Sequence, residues 1–436
     1  MDVNAGYDVN AAYKESEVGM IPEDWQSTTV AEIASSTRNA IVGGPFGSDL
    51  VSRDYVDRGV PVIRGQNMGG LWVSGNFVFV SPGKADSLQA NLARPGDIVF
   101  TQRGTLGQVS LVPDGPYDRY LISQSQMKLT ANREVADPRF LYYVFLSSRQ
   151  QEIIRQNTIQ TSLPHINLGI LRKIPVQLAP LPEQRAIADE LGDVDALIRA
   201  LDRLIAKKHD LKQAAMQQLL TGKTRLPGFR GKWKRYRFSE LFQFLNTANH
   251  PRADLSLFGD VGYIHYGDVH TTASPFLDCT AADLPLIKCA KVLTIPPIQD
   301  GDVIMVDASE DYEGMGKSVE VRHVSGRRIV AGLHTLLLRG NKELLADGFK
   351  GYLQFIPSVK ASLVRLATGI SVYGVSKRNV KSVEVMLPSI DEQSAIASVL
   401  SDMDAEIAAL EQRRDKTRDL KQGMMQELLT GRTRLI

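Results

Sequence analysis

The chain has 436 residues, two cysteines, a net charge of +2, and 43% hydrophobic against 23% charged residues. That balance fits two or three folded domains and excludes a disulfide-stapled scaffold or a largely disordered chain. No apolar run reaches the roughly 20 residues of a membrane span. Cys279 and Cys289 suit a reducing, cytoplasmic location, and the polar, acidic opening Met1–Tyr13 does not read as a secretory leader, so no membrane partner is expected.

Residues 1–180 read as a mixed α/β domain. Apolar runs at Val60–Ile63, Phe77–Val80 and Asp97–Phe100 alternate with Gly, Pro and Asp turns. One helix is expected near Pro138–Asn157, with Phe140, Val144 and Ile153 on one side. Three loops carry side chains suited to base edges: Arg64, Gln66 and Asn67; Gln102 and Arg103; and Gln124. Arg pairs bidentately with guanine, and Gln or Asn with adenine. Ordinary turn hydrogen bonding suits the same residue types.

Residues 181–226 read as one long helix. Pro182 suits a first turn, and Gly222 suits a left-handed C-terminal cap. Ile187, Leu191, Val194, Ile198, Leu201 and Ile205 recur in steps of four and three, a heptad seam. The junction that follows holds seven bases and no acid between Lys223 and Arg237. Phosphate neutralisation and a solvated linker are equally open readings of it.

Residues 227–389 read as a second mixed α/β domain, with a helix near Gly348–Leu366. His265, Tyr266 and His270, then Tyr312 and Lys317, are its candidate contacts, though buried aromatics and satisfied histidines are common. Residues 390–436 read as a second long helix. Its seam is Ile396, Leu400, Met403, Ile407 and Leu410, its capping box Ser389-x-x-Glu392, and its C-terminal cap Gly431.

The two helices form an internal repeat: residues 181–226 and 390–435 align without a gap at an offset of 209, with 26 of 46 positions identical. Fainter echoes reach upstream. Trp25 matches Trp233, and Gly96-Asp97-Ile98-Val99 resembles Gly301-Asp302-Val303-Ile304. The expected fold is therefore α+β: two mixed α/β domains separated by two long antiparallel helices in a coiled coil, an internal pseudo-twofold repeat. That pairing brings Tyr13 close to Arg434; a coiled coil between two chains is the other reading of the seam.

No catalytic constellation emerges. Thr221-Gly222-Lys223-Thr224 and Gly316-Lys317-Ser318 lack the upstream glycine of a phosphate loop; Gln217 and Asp311 stand there. Gly369–Gly374 misses the serine-elbow spacing by one residue. Pro296-Pro297 lacks the flanking residues of an amino-methyltransferase loop. The seven histidines show no helical metal spacing. Asp210-Leu211-Lys212 and Asp419-Leu420-Lys421 lie within helices, not on nuclease strands. No catalytic residue, metal or cofactor is expected on this chain.

Taken together, these residues resemble the specificity (S) subunit of a type I DNA restriction–modification system. The resemblance rests on Ser16-x-Val18-Gly19-x-Ile21-Pro22-x-x-Trp25, Gly44-Pro45-Phe46-Gly47-Ser48, Val60–Asn67, Pro95–Ile98 and Leu181-Pro182-Glu183-Gln184. In the second half it rests on His265–His270, Gly301–Ile304, Ala331–His334 and Asp391-Glu392-Gln393. Ser389-Ile390-Asp391 departs from the family's usual Pro-Pro-Leu start. The resemblance implies two target recognition domains, each reading half of a bipartite site on double-stranded DNA. It implies helices that set the spacer and dock two modification (M) subunits. Those subunits carry S-adenosylmethionine and the methylation chemistry; a restriction (R) subunit completes the complex. The competing class is a helical-rod adaptor that binds proteins and no DNA.

Overall fold

The structure is a computed structural model. It describes residues 12–435 apart from 161, 163, 313, 325, 370 and 371. Most of the opening stretch read above as no leader, and two positions of the serine-elbow near-miss, lie outside the described residues. The chain divides into two compact units: Met1–Leu201 with Arg413–Ile436, and Asp202–Gln412. Each unit takes part of both long helices, where the sequence suggests boundaries at 180, 226 and 389. The reason is packing: the helix ends belong to the domain cores.

In the first unit a four-stranded antiparallel sheet runs Val109–Leu111, Ile98–Thr101, Gln126–Leu129, Ile41–Gly43. A five-stranded sheet runs Tyr55–Val56, Val78–Val80, Val60–Ile63, Tyr120–Ile122, Leu92–Ala93, with its third and fourth strands parallel. The strands at Val60, Ile98 and Gln126 are buried on both faces, which suits their continuous apolar runs. A short ladder joins Gln26–Thr29 to Pro175–Leu178 just before the first long helix.

The second unit repeats this plan. Its larger sheet runs Phe242–Leu245, Thr335–Gly340, Val303–Val306, Ser318–Arg322, Phe276–Asp278. Its smaller sheet has the parallel pair Val261–Ile264 and Ile329–Ala331. Lys234–Arg237 pairs with Glu384–Leu387 just before the second long helix.

The long helices span Leu181–Leu219 and Ile390–Leu428, 39 residues each. Gly222 and Gly431 follow them at φ +69° and +70°, left-handed caps that only glycine adopts cheaply. Ser389 caps the second start, accepting from the Glu392 amide at 3.4 Å. The expected capping box is incomplete, because the Glu392 carboxylate turns to Arg225 instead. Ile187, Leu191, Leu201, Ile205, Ile396, Leu400 and Ile407 are buried, while Val194, Ile198, Met403 and Leu410 are half-buried. Ile187 and Leu191 share one core with Phe140, Tyr143 and Leu428. Ile396 and Leu400 share another with Phe238, Phe349 and Leu219. These seam positions therefore pack into the domain cores.

Polar knots fasten each domain to its helices, at positions that correspond by the repeat. In the first unit, Tyr143 donates to Asp195 at 2.9 Å and Lys421 meets the same carboxylate at 2.7 Å. In the second, Tyr352 donates to Asp404 at 3.0 Å and Lys212 pairs with it. Burial raises both tyrosine pKa values above the ordinary range. Gln184 caps Asp137 and bonds the Val135 and Ala179 carbonyls; Gln393 does the same for Ala346, Leu344 and Pro388. With Glu183 paired to Arg434 in the first unit and Arg225 to Glu392 in the second, the two helix segments run antiparallel within each unit: as one number rises, its partner's falls. Tyr13 donates to the Gly431 carbonyl at 3.1 Å, so the described chain ends meet in the first unit.

Two expected helices are broken. Pro138–Leu146 and Ser148–Gln156 are separate helices, because Ser147 is extended and its hydroxyl accepts from Gln150 to start the second. Near Gly348–Leu366, a 3-10 turn at Lys350–Phe355 precedes a helix at Pro357–Leu366. Pro357 forces the break, since the residue before proline disfavours helical backbone.

Candidate functional site

Parallel strands end together, so their loops emerge side by side. In the first unit Ile122 sits opposite Ile63, and the Ser123 amide continues the pairing to the Ile63 carbonyl at 3.0 Å. The Gln102 amide reaches the Ser125 carbonyl at 2.7 Å, bringing in the third loop. Gly44 lies so close to this turn that a Cβ there would stand 1.9 Å from the Ser123 carbonyl oxygen. The chain thus brings Arg64 to Asn67, Gln102 to Arg103, and Gln124 to one end of the unit.

These residues do not play equal parts. Asn67 is 2% exposed. Its carbonyl oxygen accepts from the Arg64 amide, and its nitrogen donates to the Ser74 and Asn76 carbonyls at 3.0 and 3.1 Å. The Asn67 amide, expected at a base edge, is thus engaged within its own loop. Gln124 donates to the Gly47 and Leu50 carbonyls and holds that turn. Gln66 is exposed and donates to Asn76. Arg103 is exposed and Gln102 half-buried. Arg64 is half-buried, and its Nε is buried with no acceptor among the described residues. An orphaned buried donor costs about 1–3 kcal/mol.

The second unit builds the same frame. Ile264 sits opposite Ala331, the Gly332 amide reaches the Ile264 carbonyl at 2.9 Å, and the Asp307 amide reaches the His334 carbonyl at 3.2 Å. The side chains differ. His265 is 6% exposed and serves as a helix cap: Nδ1 accepts from the Gly267 amide, and its own amide donates to Asp268. Burial lowers its pKa, against the pull of Asp268. Its ring and its amide are thus both engaged by its own helix start. Tyr266 lies between His265, His270 and His334, with ring centroids 4.4, 6.0 and 5.6 Å away. His270 faces the Ala308 carbonyl at 3.2 Å, and Lys317 donates to the His270 carbonyl at 2.5 Å. Tyr312 is 50% exposed and stacks on Tyr373 at 4.0 Å.

A cavity of about 1060 Å³ opens here, lined by Tyr266, His270, Lys317, His334, Phe355 and Lys360 among others. Sequence reasoning missed His334 and Asp307. His334 Nδ1 lies 3.4 Å from the Asp307 carboxylate, and His334 has φ +55°. Burial raises the Asp307 pKa. Ala331–His334 was visible as a motif, but its register against Asp307 exists only in the fold. Among the described residues no cluster of three metal-ligating groups occurs, and no helix is long and apolar enough to cross a membrane.

Residues 22–207 match the family described as type I restriction modification DNA specificity domain. The provisionally named MjaX type I restriction enzyme specificity subunit of Methanocaldococcus jannaschii is 22% identical over 447 aligned positions, covering 97% of each chain. The EcoKI specificity subunit of Escherichia coli is 20% identical over 401 positions, covering 87% of this chain and 82% of that one. The crystal structure of the type I restriction–modification S subunit from M. genitalium shares the fold, with a TM-score of 0.57 at 14% identity. That match covers 93% of this chain and 96% of the other.

Proposed function

We infer, from the premise that the chain belongs to the type I restriction–modification specificity family, that each unit reads one half of a bipartite DNA target. The observation that carries this is one loop frame bearing two unlike sets of side chains. Both units join their parallel strands through matching backbone bonds. One then presents Arg64, Gln102 and Arg103, the other Tyr266, His270, Lys317 and His334. A shared frame with exchanged side chains is what two different half-sites require, since phosphate contacts position a reader while base edges specify it.

In this reading the chain is a non-catalytic, cytoplasmic subunit. It binds no cofactor of its own; S-adenosylmethionine and the base-flipping chemistry belong to two M subunits, and an R subunit completes the assembly. The long helices act as an antiparallel coiled coil in a pseudo-twofold arrangement, setting the spacer between half-sites and docking the M subunits.

The test is a domain exchange. Residues 15–180 are replaced by those of another such subunit, and methylated sites are mapped with M present. The expected result is a target altered in one half only. A target altered in both halves refutes independent readers. Arg64→Ala is expected to relax one position of the first half-site by about 1–3 kcal/mol, the worth of a bidentate base contact. Unchanged specificity and methylation rate in Arg64→Ala and Arg103→Ala would remove these residues from the reading set.

A further inference from the structure

The repeat places two corresponding segments beside the two long-helix starts, and their charges are opposite. Residues 14–29 end in the strand Gln26–Thr29 and carry one base, Lys14, against four acids. Residues 223–237 end in the matching strand Lys234–Arg237 and carry seven bases and no acid. Arg225 among them is consumed by the buried Glu392. The other six, Lys223, Arg230, Lys232, Lys234, Arg235 and Arg237, are exposed. Among the described residues Glu384 alone pairs with any of them, through long contacts of 3.5 and 3.4 Å to Arg235 and Arg237. Two further exposed bases, Arg378 and Lys381, sit on the short helix just before Glu384.

This strap lies away from the reading loops. The strand Thr335–Gly340 starts beside His334 and ends opposite Phe242, which follows the strap by a single turn of helix. Its six residues span about 20 Å. Six exposed bases facing one carboxylate among the described residues repel one another, so the arrangement gains from a polyanion. No large apolar side chain of residues 223–237 is exposed, though Met386 on the paired strand is. A protein-docking centre is built on buried aromatic and apolar anchors, which favours a phosphate backbone as the occupant.

We propose that residues 223–237 form a second, sequence-independent contact to duplex DNA, on backbone phosphates outside the half-site read by the same unit. This rests on the reading above that the chain works on DNA. Phosphate contacts of this kind raise affinity for any duplex and make it salt-dependent, with no base readout.

The experiment uses the full chain with its M subunits and compares wild type with a K232Q, K234Q, R235Q triple variant. Arg225 is left intact because it holds Glu392. Binding to a duplex without the target sequence is measured against salt, and methylated sites are mapped in parallel. The expected result is at least a ten-fold loss of non-target affinity at low salt. The slope of log affinity against log salt should fall by about 2–3, at roughly 0.9 per phosphate contact, with the methylated motif unchanged. An unchanged slope, with the motif intact, overturns the strap as a DNA contact. So does an unchanged slope accompanied by charge-dependent capture of polyglutamate, which would assign the strap to an acidic protein. If wild type itself shows no sequence-selective methylation, the half-site reading fails, and the slope comparison still decides the strap.

Discussion

Glu183→Ala is expected to destabilise the first unit by about 3–5 kcal/mol, the range for removing one partner of a buried charge pair. The Glu183 side chain is 4% exposed and serves three donors. Trp25 Nε1 reaches it at 3.1 Å, Arg434 at 2.7 and 2.9 Å, and the Leu435 amide at 3.3 Å. Trp25 is fully buried, and its ring lies beneath the Arg434 guanidinium. Alanine leaves the indole N–H without an acceptor and the guanidinium with Asp24 alone. The same carboxylate raises the Arg434 pKa, with Asp24 adding to it. Glu183→Gln keeps an acceptor for Trp25 and should lose less. Glu392→Ala in the second unit should cost about 1 kcal/mol less than Glu183→Ala, because Trp233 Nε1 already lacks a partner among the described residues. Urea unfolding, with hydrogen exchange across residues 413–435, reads the effect. A loss under about 1 kcal/mol for Glu183→Ala would show the knot to be no better than a surface ion pair.

Four residues inserted beside Arg203 are expected to lengthen the recognised spacer by about one or two base pairs. The insertion adds about 6 Å of helical rise, against about 3.4 Å per base pair of DNA. It also exceeds one 3.6-residue turn by about 40°. One base pair turns the duplex by about 35°, at 10–10.5 pairs per turn, so rise and rotation agree. Leu201 and Ile205 are buried on either side of the insertion point. The seam is locally disturbed, as in a coiled-coil stutter, and some stability is lost. Methylation mapping of the variant checks this. Both half-sites kept at the original spacing, in an active variant, would move the ruler from the helices to the partner subunits.

What could be read in advance follows from which interactions are local. The long helices were legible because their period, caps and repeat are written in contiguous residues. The breaks at Ser147 and Ile356 were legible in principle: Ser147 is a good N-cap, and Pro357 excludes helix before it. The apolar period simply ran on through both. Loop positions were legible too, since turn residues follow buried runs. The role of each loop residue was not. Asn67 is claimed by Ser74 and Asn76, Gln124 by Gly47 and Leu50, and His265 by its own helix start. Those choices depend on which carbonyl stands nearby, and only the fold decides that. The repeated Tyr–Asp–Lys knots lay inside the aligned repeat except for their tyrosines, which come from the divergent domains.

The first unit is built from two stretches separated by Asp202–Gln412, whereas the second is one uninterrupted stretch. Leu428 and Leu429 complete the first core, and Arg434 completes its knot. A ribosome therefore releases the beginning of that core well before its closing pieces exist. At 5–20 residues per second the wait is about 10–40 s. In that interval Ile187, Leu191 and the Phe140–Phe145 face lack the far-end leucines that finish their core. Asp202–Gln412 can meanwhile fold as soon as it emerges. The order of completion during synthesis is thus the reverse of the order of translation: the early half keeps an unfinished core until residues 413–434 arrive.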